Sequence, residues 1–192
     1  MKILVLNGSP RNNGIVVSLL KAVSEGVPSG HEVEWVDVNK LVIKYCTGCM
    51  ACRDKGACVL PEDDAHRVGR KIQDADALIV GTPTYWGNMC APLKLLFERN
   101  VPVFMGESPR GIPEPRQKGK RAVIVTACTT PWPFNFILAE SRGAVNAVKE
   151  VLNYGGYGVL GTVVMPGTKK SREIPASLKT KARRLGAKLV QG

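Results

Sequence analysis

The sequence predicts an α/β fold, a doubly wound parallel sheet with helices on both faces. Three observations carry that prediction. Short apolar runs recur at Ile3–Leu6, Val33–Val38, Ala77–Val80, Ala122–Val125 and Val159–Val164. All but the second are near-continuously apolar, as strands buried on both faces of a parallel sheet are. Amphipathic stretches of helical length separate the runs, so strand and helix alternate along the chain.

Each element has its own justification. Ile3–Leu6 gives way to Asn7-Gly8, a turn signal. The stretch Ile15–Val27 then places Val16, Leu19, Leu20 and Val23 on one helical stripe. After Val33–Val38, Glu62–Asp74 groups Ala65, Val68 and Ile72. Ala77–Val80 is followed by Pro92–Arg99 with Leu93, Leu96 and Phe97, and Pro92 falls in a first helical turn, where proline is tolerated. Ala122–Val125 precedes Leu138–Tyr154, with Ala144, Ala147, Val148 and Leu152 in register. Val159–Val164 precedes Pro175–Val190, with Leu178, Ala182, Leu185 and Leu189. The sequence predicts one domain over 1–192, with a cysteine-rich loop at 45–60 and a Pro-rich, irregular insertion at 100–119. Connections this long are usually functional. A chain of this size buries roughly 70% of its unfolded surface and needs no disulfide staples.

Composition narrows the function classes. Lys and Arg number 27 against 16 Asp and Glu, a net charge of +11. The positives gather at 110–121 and at 169–188. Neither group is interleaved with aromatics or accompanied by a nucleic-acid motif, so both read as solvated surface and a nucleic-acid partner is not expected. No apolar run approaches a membrane span. The few apolar residues before Asn7 are too short for a signal peptide, and a cytoplasmic location is expected. Six cysteines in that compartment are ligands, catalysts or core residues rather than disulfides.

The loop Asn7-Gly8-Ser9-Pro10-Arg11-Asn12-Asn13-Gly14 has neither the glycine spacing of dinucleotide folds nor that of P-loops. It still offers a serine hydroxyl, a guanidinium and the free N–H groups of a helix start, which suit a dianionic phosphomonoester. Ligands of such sheets bind at the carboxyl ends of the strands near a switch point. The opening KILVLNGSPRNNG resembles flavodoxin-fold proteins of the NADPH-dependent FMN reductase type. That resemblance implies a flavodoxin-like five-stranded parallel sheet, order 2-1-3-4-5. It also implies an FMN phosphate held by Ser9, Arg11, Asn13 and Gly14. Where the family commonly carries Asn and then Ser or Thr after the glycine, this chain has Ile15-Val16, so backbone N–H groups supply those bonds. The same resemblance places the flavin ring against Pro83, Thr84, Tyr85, Trp86, Gly87 and Asn88. More loosely, it adds Cys128 and Thr129. A flat heteroaromatic needs apolar faces and donors near its electron-accepting atoms.

Cys46, Cys49, Cys52 and Cys58 give C-x2-C-x2-C-x5-C. Compact runs with two-residue gaps suit a cubane cluster; zinc and an empty reduced loop remain open readings. The spacing resembles the iron–sulfur flavoprotein family, which carries FMN and a [4Fe-4S] cluster. The loop follows the second strand, so the cluster is expected near the flavin, with Tyr45 and Val59-Leu60 anchoring the loop to the core. His31 and His66 have no Ser or Cys partner at motif spacing, so no catalytic side chain is assigned.

Together these readings imply an FMN-dependent oxidoreductase. It passes electrons from NAD(P)H to a small acceptor such as free flavin or a quinone. One alternative is an iron–sulfur flavoprotein exchanging electrons with ferredoxin through [4Fe-4S] and FMN. Another is a non-catalytic binding module with a basic face. The apolar residues of Val101–Pro115 are expected to pack on a twofold partner in a homodimer or higher homo-oligomer and help cover the flavin. An intrachain lid is the competing arrangement.

Overall fold

The computed structural model describes residues 1–191. In chain order the elements are β1 (Lys2–Asn7), α1 (Ile15–Glu25), β2 (Glu32–Asp37), α2 (Ala51–Lys55), α3 (Asp64–Asp74), β3 (Ala77–Pro83), α4 (Ala91–Arg99) and α5 (Val101–Phe104). There follow β4 (Met105–Glu107), β5 (Pro113–Pro115), β6 (Arg121–Ala127), α6 (Phe134–Ile137), α7 (Glu140–Gly155), β7 (Gly158–Met165) and α8 (Ala176–Lys188). Five strands form one sheet in the order β2-β1-β3-β6-β7, every pair parallel. Counted within this sheet alone the order is 2-1-3-4-5, as expected.

Residue alternation divides the core into two layers. Ile3, Val5, Ile79, Val123, Val125 and Val163 face α1 and α8. Leu4, Leu6, Leu78, Val80, Ala122 and Ile124 face α3, α4 and α7. Strands covered on both sides have no polar face to show, which is why they read as unbroken apolar runs. The second run differs because β2 is an edge strand and buries only Val36.

The face holding α1 and α8 depends on glycine. A Cβ on Gly186 would lie 1.9 Å from the Val23 carbonyl oxygen, and one on Gly26 2.0 Å from that of Arg183. Gly to Ala inside a helix ordinarily stabilises by about 0.5–1 kcal/mol. Here the backbones of the two helices must separate, so G186A is expected to destabilise by about 1–3 kcal/mol. A lowered urea midpoint supports this packing account, and a raised midpoint contradicts it.

The insertion after α4 is more regular than expected. Pro102 falls in the first turn of α5, and β4 and β5 pair antiparallel, Met105 with Pro115 and Glu107 with Pro113. Phe104 turns inward: it is 2% exposed and meets Phe97 edge-on at 5.4 Å between ring centroids. One of the residues expected to face a partner therefore belongs to this chain's own core. The helix expected from Leu138 starts instead at Glu140, because Ala139 takes a left-handed φ of 59° between α6 and α7.

Candidate functional site

The loop after β1 is fixed by side chains on both flanks. The Asn7 amide donates to Asp37 Oδ1 at 2.8 Å, while Asn7 Oδ1 accepts the Ser9 N–H at 3.0 Å. Asp37 also pairs with Lys40 at 2.8 Å. Lys40 first, then Asn7, hold its carboxyl below the usual aspartate range. On the other flank the Gly8 N–H donates to the Gly81 carbonyl at 2.8 Å, and the Cys90 thiol donates to the Gly8 carbonyl at 3.2 Å. A Cβ on Gly8 would lie 2.8 Å from both Cys90 Sγ and Gly81 O, so the loops after β1 and β3 touch only because residue 8 is glycine.

The loop delivers an uncapped helix. Ser9 Oγ accepts the Arg11 N–H at 3.3 Å, the Gly14 N–H donates to the Arg11 carbonyl at 3.0 Å, and the first helical bond runs from Ser18 N–H to Gly14 O at 3.0 Å. No side chain caps α1 and its first turn holds no acid. The N–H groups of Ile15, Val16 and Val17 thus stand at a positive helix end without a helical acceptor.

Ile15 and Val16 line a cavity of about 260 Å³ at the carboxyl edge of the sheet. The structure brings Ser9, Arg11, Asn13, Gly14, Ile15, Val16, Pro83, Thr84, Tyr85, Cys128 and Thr129 to its wall. Loops from four strands converge there. The Thr84 N–H donates to Ala127 O at 3.0 Å, and the Thr168 hydroxyl donates to Cys128 O at 3.1 Å. Burial pushes the Cys128 thiol up, which keeps it neutral.

Two wall residues, Thr168 and Arg172, were not legible as site residues; the basic run around 169–188 reads as surface. The signal available was that a fifth strand must end at the same edge. Neither Arg11 nor Arg172 joins an ion pair among the described residues. Two unneutralised guanidinium groups and an open helix start fit a phosphate dianion.

Trp86, Gly87 and Asn88 do not line this cavity. Tyr85 and Asn88 exchange backbone hydrogen bonds of 3.1 and 3.0 Å across a two-residue loop, with Trp86 at φ 52° and Gly87 at φ 70°. Positive φ at both central residues is the tight hairpin turn, and it throws the Trp86 side chain wholly into solvent. Asn88 lines a separate groove of about 320 Å³ along α4.

The cysteine loop lies at the other end of that groove. Cys46, Cys49, Cys52 and Cys58 all line one cavity of about 90 Å³, which shares no lining residue with the phosphate cavity. Helix α4, about 13 Å long at 1.5 Å per residue, joins the two: Cys90 before it touches Gly8, and Arg99 at its end touches Cys58. Among the described residues no three Cys, His, Asp or Glu side chains gather as a metal site. The donor set is right for a cubane and all four cysteines line one cavity, while in this arrangement their thiols do not converge on one point.

Of the residues expected to anchor the loop, Tyr45 and Val59 are exposed and Leu60 is half-buried. The anchor is Arg99, whose side chain is 0% exposed. Its guanidinium donates to the Lys44 carbonyl at 2.6 Å, to Asp63 Oδ2 at 2.7 Å and to Cys58 Sγ at 3.3 Å. His66 completes the arrangement, since its Nδ1 accepts the Asp63 N–H at 3.2 Å in a capping box at the start of α3.

The profile of the family described as NADPH-dependent FMN reductase matches residues 1–168. An iron–sulfur flavoprotein of Methanocaldococcus jannaschii is 33% identical over an alignment covering 100% of this chain and 96% of that protein. One of Archaeoglobus fulgidus is 43% identical over 107 residues, 55% of this chain and 52% of its own length. The chain thus spans about half of that relative. Among solved structures, an NAD(P)H:quinone oxidoreductase from Methanothermobacter marburgensis superposes with a TM-score of 0.73 at 20% identity, covering 100% of this chain and 97% of that one. An azoreductase from Bacillus anthracis gives 0.74 at 21%, covering 98% and 99%. At such identities these structures show a shared fold.

Proposed function

The chain belongs to the NADPH-dependent FMN reductase family, and on that premise we propose that it is an FMN-dependent oxidoreductase passing electrons from NAD(P)H to a small acceptor such as a quinone or free flavin. One observation carries the reading: the free N–H groups of α1, Arg11 and Arg172 face the same cavity at the sheet's carboxyl edge. FMN, when bound there, supplies the chemistry of accepting a hydride and releasing electrons.

The chain's own residues bind and orient. Arg11, Arg172 and the N–H groups of Ile15 and Val16 take the phosphate; Ser9 fixes the loop. Thr84, Tyr85, Cys128 and Thr129 border the ring. No side chain is asked to hold a proton, so none is assigned a catalytic role. The experiment is a flavin titration of the apo-protein. Saturation at one FMN per chain supports the reading, whereas a chain that takes up no FMN returns it to a binding module with a basic face.

A second reading is favoured by four cysteines on one cavity wall and by the full-length flavoprotein relative. In it the loop closes around a [4Fe-4S] cluster and ferredoxin is the partner. About four irons per chain after anaerobic reconstitution are expected if it holds, with any one Cys→Ser replacement removing iron and leaving FMN bound. Less than about one iron per chain eliminates it.

We also expect a homodimer, working in the cytosol. The groove along α4 is lined by Val101, Met105 and Tyr154, and Ile112 nearby in the chain is 60% exposed, so apolar surface remains for a second copy. No helix among the described residues is long and apolar enough to cross a membrane. A monomeric mass at micromolar concentration contradicts the dimer.

A further inference from the structure

The Asn7 side chain stands between the phosphate loop and edge strand β2, and it is 4% exposed. Its Oδ1 accepts the Ser9 N–H at 3.0 Å, and its amide nitrogen donates to Asp37 Oδ1 at 2.8 Å. The parallel pairing of β1 with β2 sets Asn7 directly opposite Asp37, so the contact follows from the sheet register. The second oxygen of the Asp37 carboxylate meets Lys40 Nζ at 2.8 Å. Asp37 itself does not line the phosphate cavity.

This arrangement decides which way the Asn7 amide points. A primary amide has a donor end and an acceptor end of nearly the same shape, whereas an ionised carboxylate only accepts. Asp37 therefore admits the nitrogen end of Asn7 and turns the oxygen end toward Ser9. A reversed amide would set two donors against each other at Ser9 and two acceptors against each other at Asp37. The Ser9 residue is 8% exposed, so water is poorly placed to relieve such a mismatch. The hold then passes along the loop. Ser9 Oγ accepts the Arg11 N–H at 3.3 Å, and the Arg11 carbonyl accepts the N–H of Gly14, the residue before α1, at 3.0 Å.

We propose that Asp37 is a positioning residue for phosphate recognition: by orienting the Asn7 amide it holds Ser9–Gly14 in the conformation that brings Arg11 and the start of α1 to one phosphomonoester. The inference rests on the flavin reading, in which that phosphomonoester belongs to FMN. It adds a residue from β2 that never touches the ligand, and it assigns that residue to the phosphate and not to the ring.

The experiment compares D37L, which removes the acceptor, with D37N, which keeps a carbonyl oxygen for Asn7. The Asp37 side chain is 37% exposed on an edge strand, so both replacements leave the core intact. In fluorescence titrations D37L is expected to bind FMN about fivefold or more weakly than wild type, with riboflavin affinity unchanged within about twofold. D37N should match wild type within about twofold for both flavins. Hydrogen exchange of the Ser9 amide, read without flavin, should speed up about fivefold or more in D37L and stay near wild type in D37N. Should D37L fail to fold, D37A takes the same acceptor away and replaces it. Unchanged FMN affinity in D37L, an equal loss for both flavins, or a D37N protein as weak as D37L would overturn the proposal. A wild-type chain that takes up no FMN fails the flavin reading instead, and Ser9 exchange that is the same in D37L and wild type overturns the positioning role by itself.

Discussion

Replacing Arg99 by methionine is expected to lower the unfolding free energy by about 3–5 kcal/mol, the range for breaking a buried ion pair by removing one partner. The guanidinium is fully buried, and its loss strands the Asp63 carboxylate, which is itself 10% exposed, together with the Lys44 carbonyl. The cysteine loop loses its tether to α4 at the same time. R99M/D63L, which removes both charges, should recover part of the loss. Burial pushes the Asp63 carboxyl up, yet hydrogen bonds from the Lys44 N–H, Arg99 and the Ala65 N–H outweigh it and hold the carboxyl below its ordinary value. A depressed carboxylate contributes stability above its unfolded value of about 3.9, and that contribution disappears as pH falls through the lower folded value. The Asp63 contribution should thus be constant from about pH 5 upward and fade below about pH 4, giving D63N a shallower acid limb than wild type. Urea unfolding across pH measures both; an R99M protein as stable as wild type contradicts the buried tether.

Replacing Arg11 by alanine is expected to weaken FMN binding roughly 10- to 150-fold, from the 1.5–3 kcal/mol of a hydrogen bond to a charged group. The cause is local, because Arg11 is exposed, joins no ion pair and lines the cavity at the open start of α1. Its removal deletes a phosphate contact without unsettling the core. Riboflavin, which lacks the phosphate, provides the control: its affinity should be the same for wild type and R11A. Fluorescence titration of both flavins measures the ratio. An equal loss for both would place Arg11 at the ring, and no loss for either would remove it from the site.

The parallel sheet was legible because burial on both faces leaves unbroken apolar runs, and the phosphate loop because Gly8, Ser9, Arg11 and Gly14 are each needed for a separate physical reason. What stayed hidden depended on long-range partners. Asn7 looks like a turn residue until Asp37 is placed beside it by the β1–β2 pairing. Arg172 looks like one more surface charge until the loop after β7 returns to the cavity. Arg99 ends an amphipathic helix, and nothing local in sequence says that it will be buried against Asp63 and Cys58. The direction of the Trp86 side chain was likewise not legible from its aromatic character. The backbone rule that governs Trp86-Gly87, positive φ at both turn positions, instead sends the side chain outward.

The measurement closest to the central claim is an anaerobic absorption experiment on the protein loaded with one FMN per chain. Addition of NADPH or NADH should bleach the bound flavin, and a quinone added afterwards should restore it over repeated cycles. Bound flavin that neither nicotinamide reduces would contradict an oxidoreductase driven by NAD(P)H.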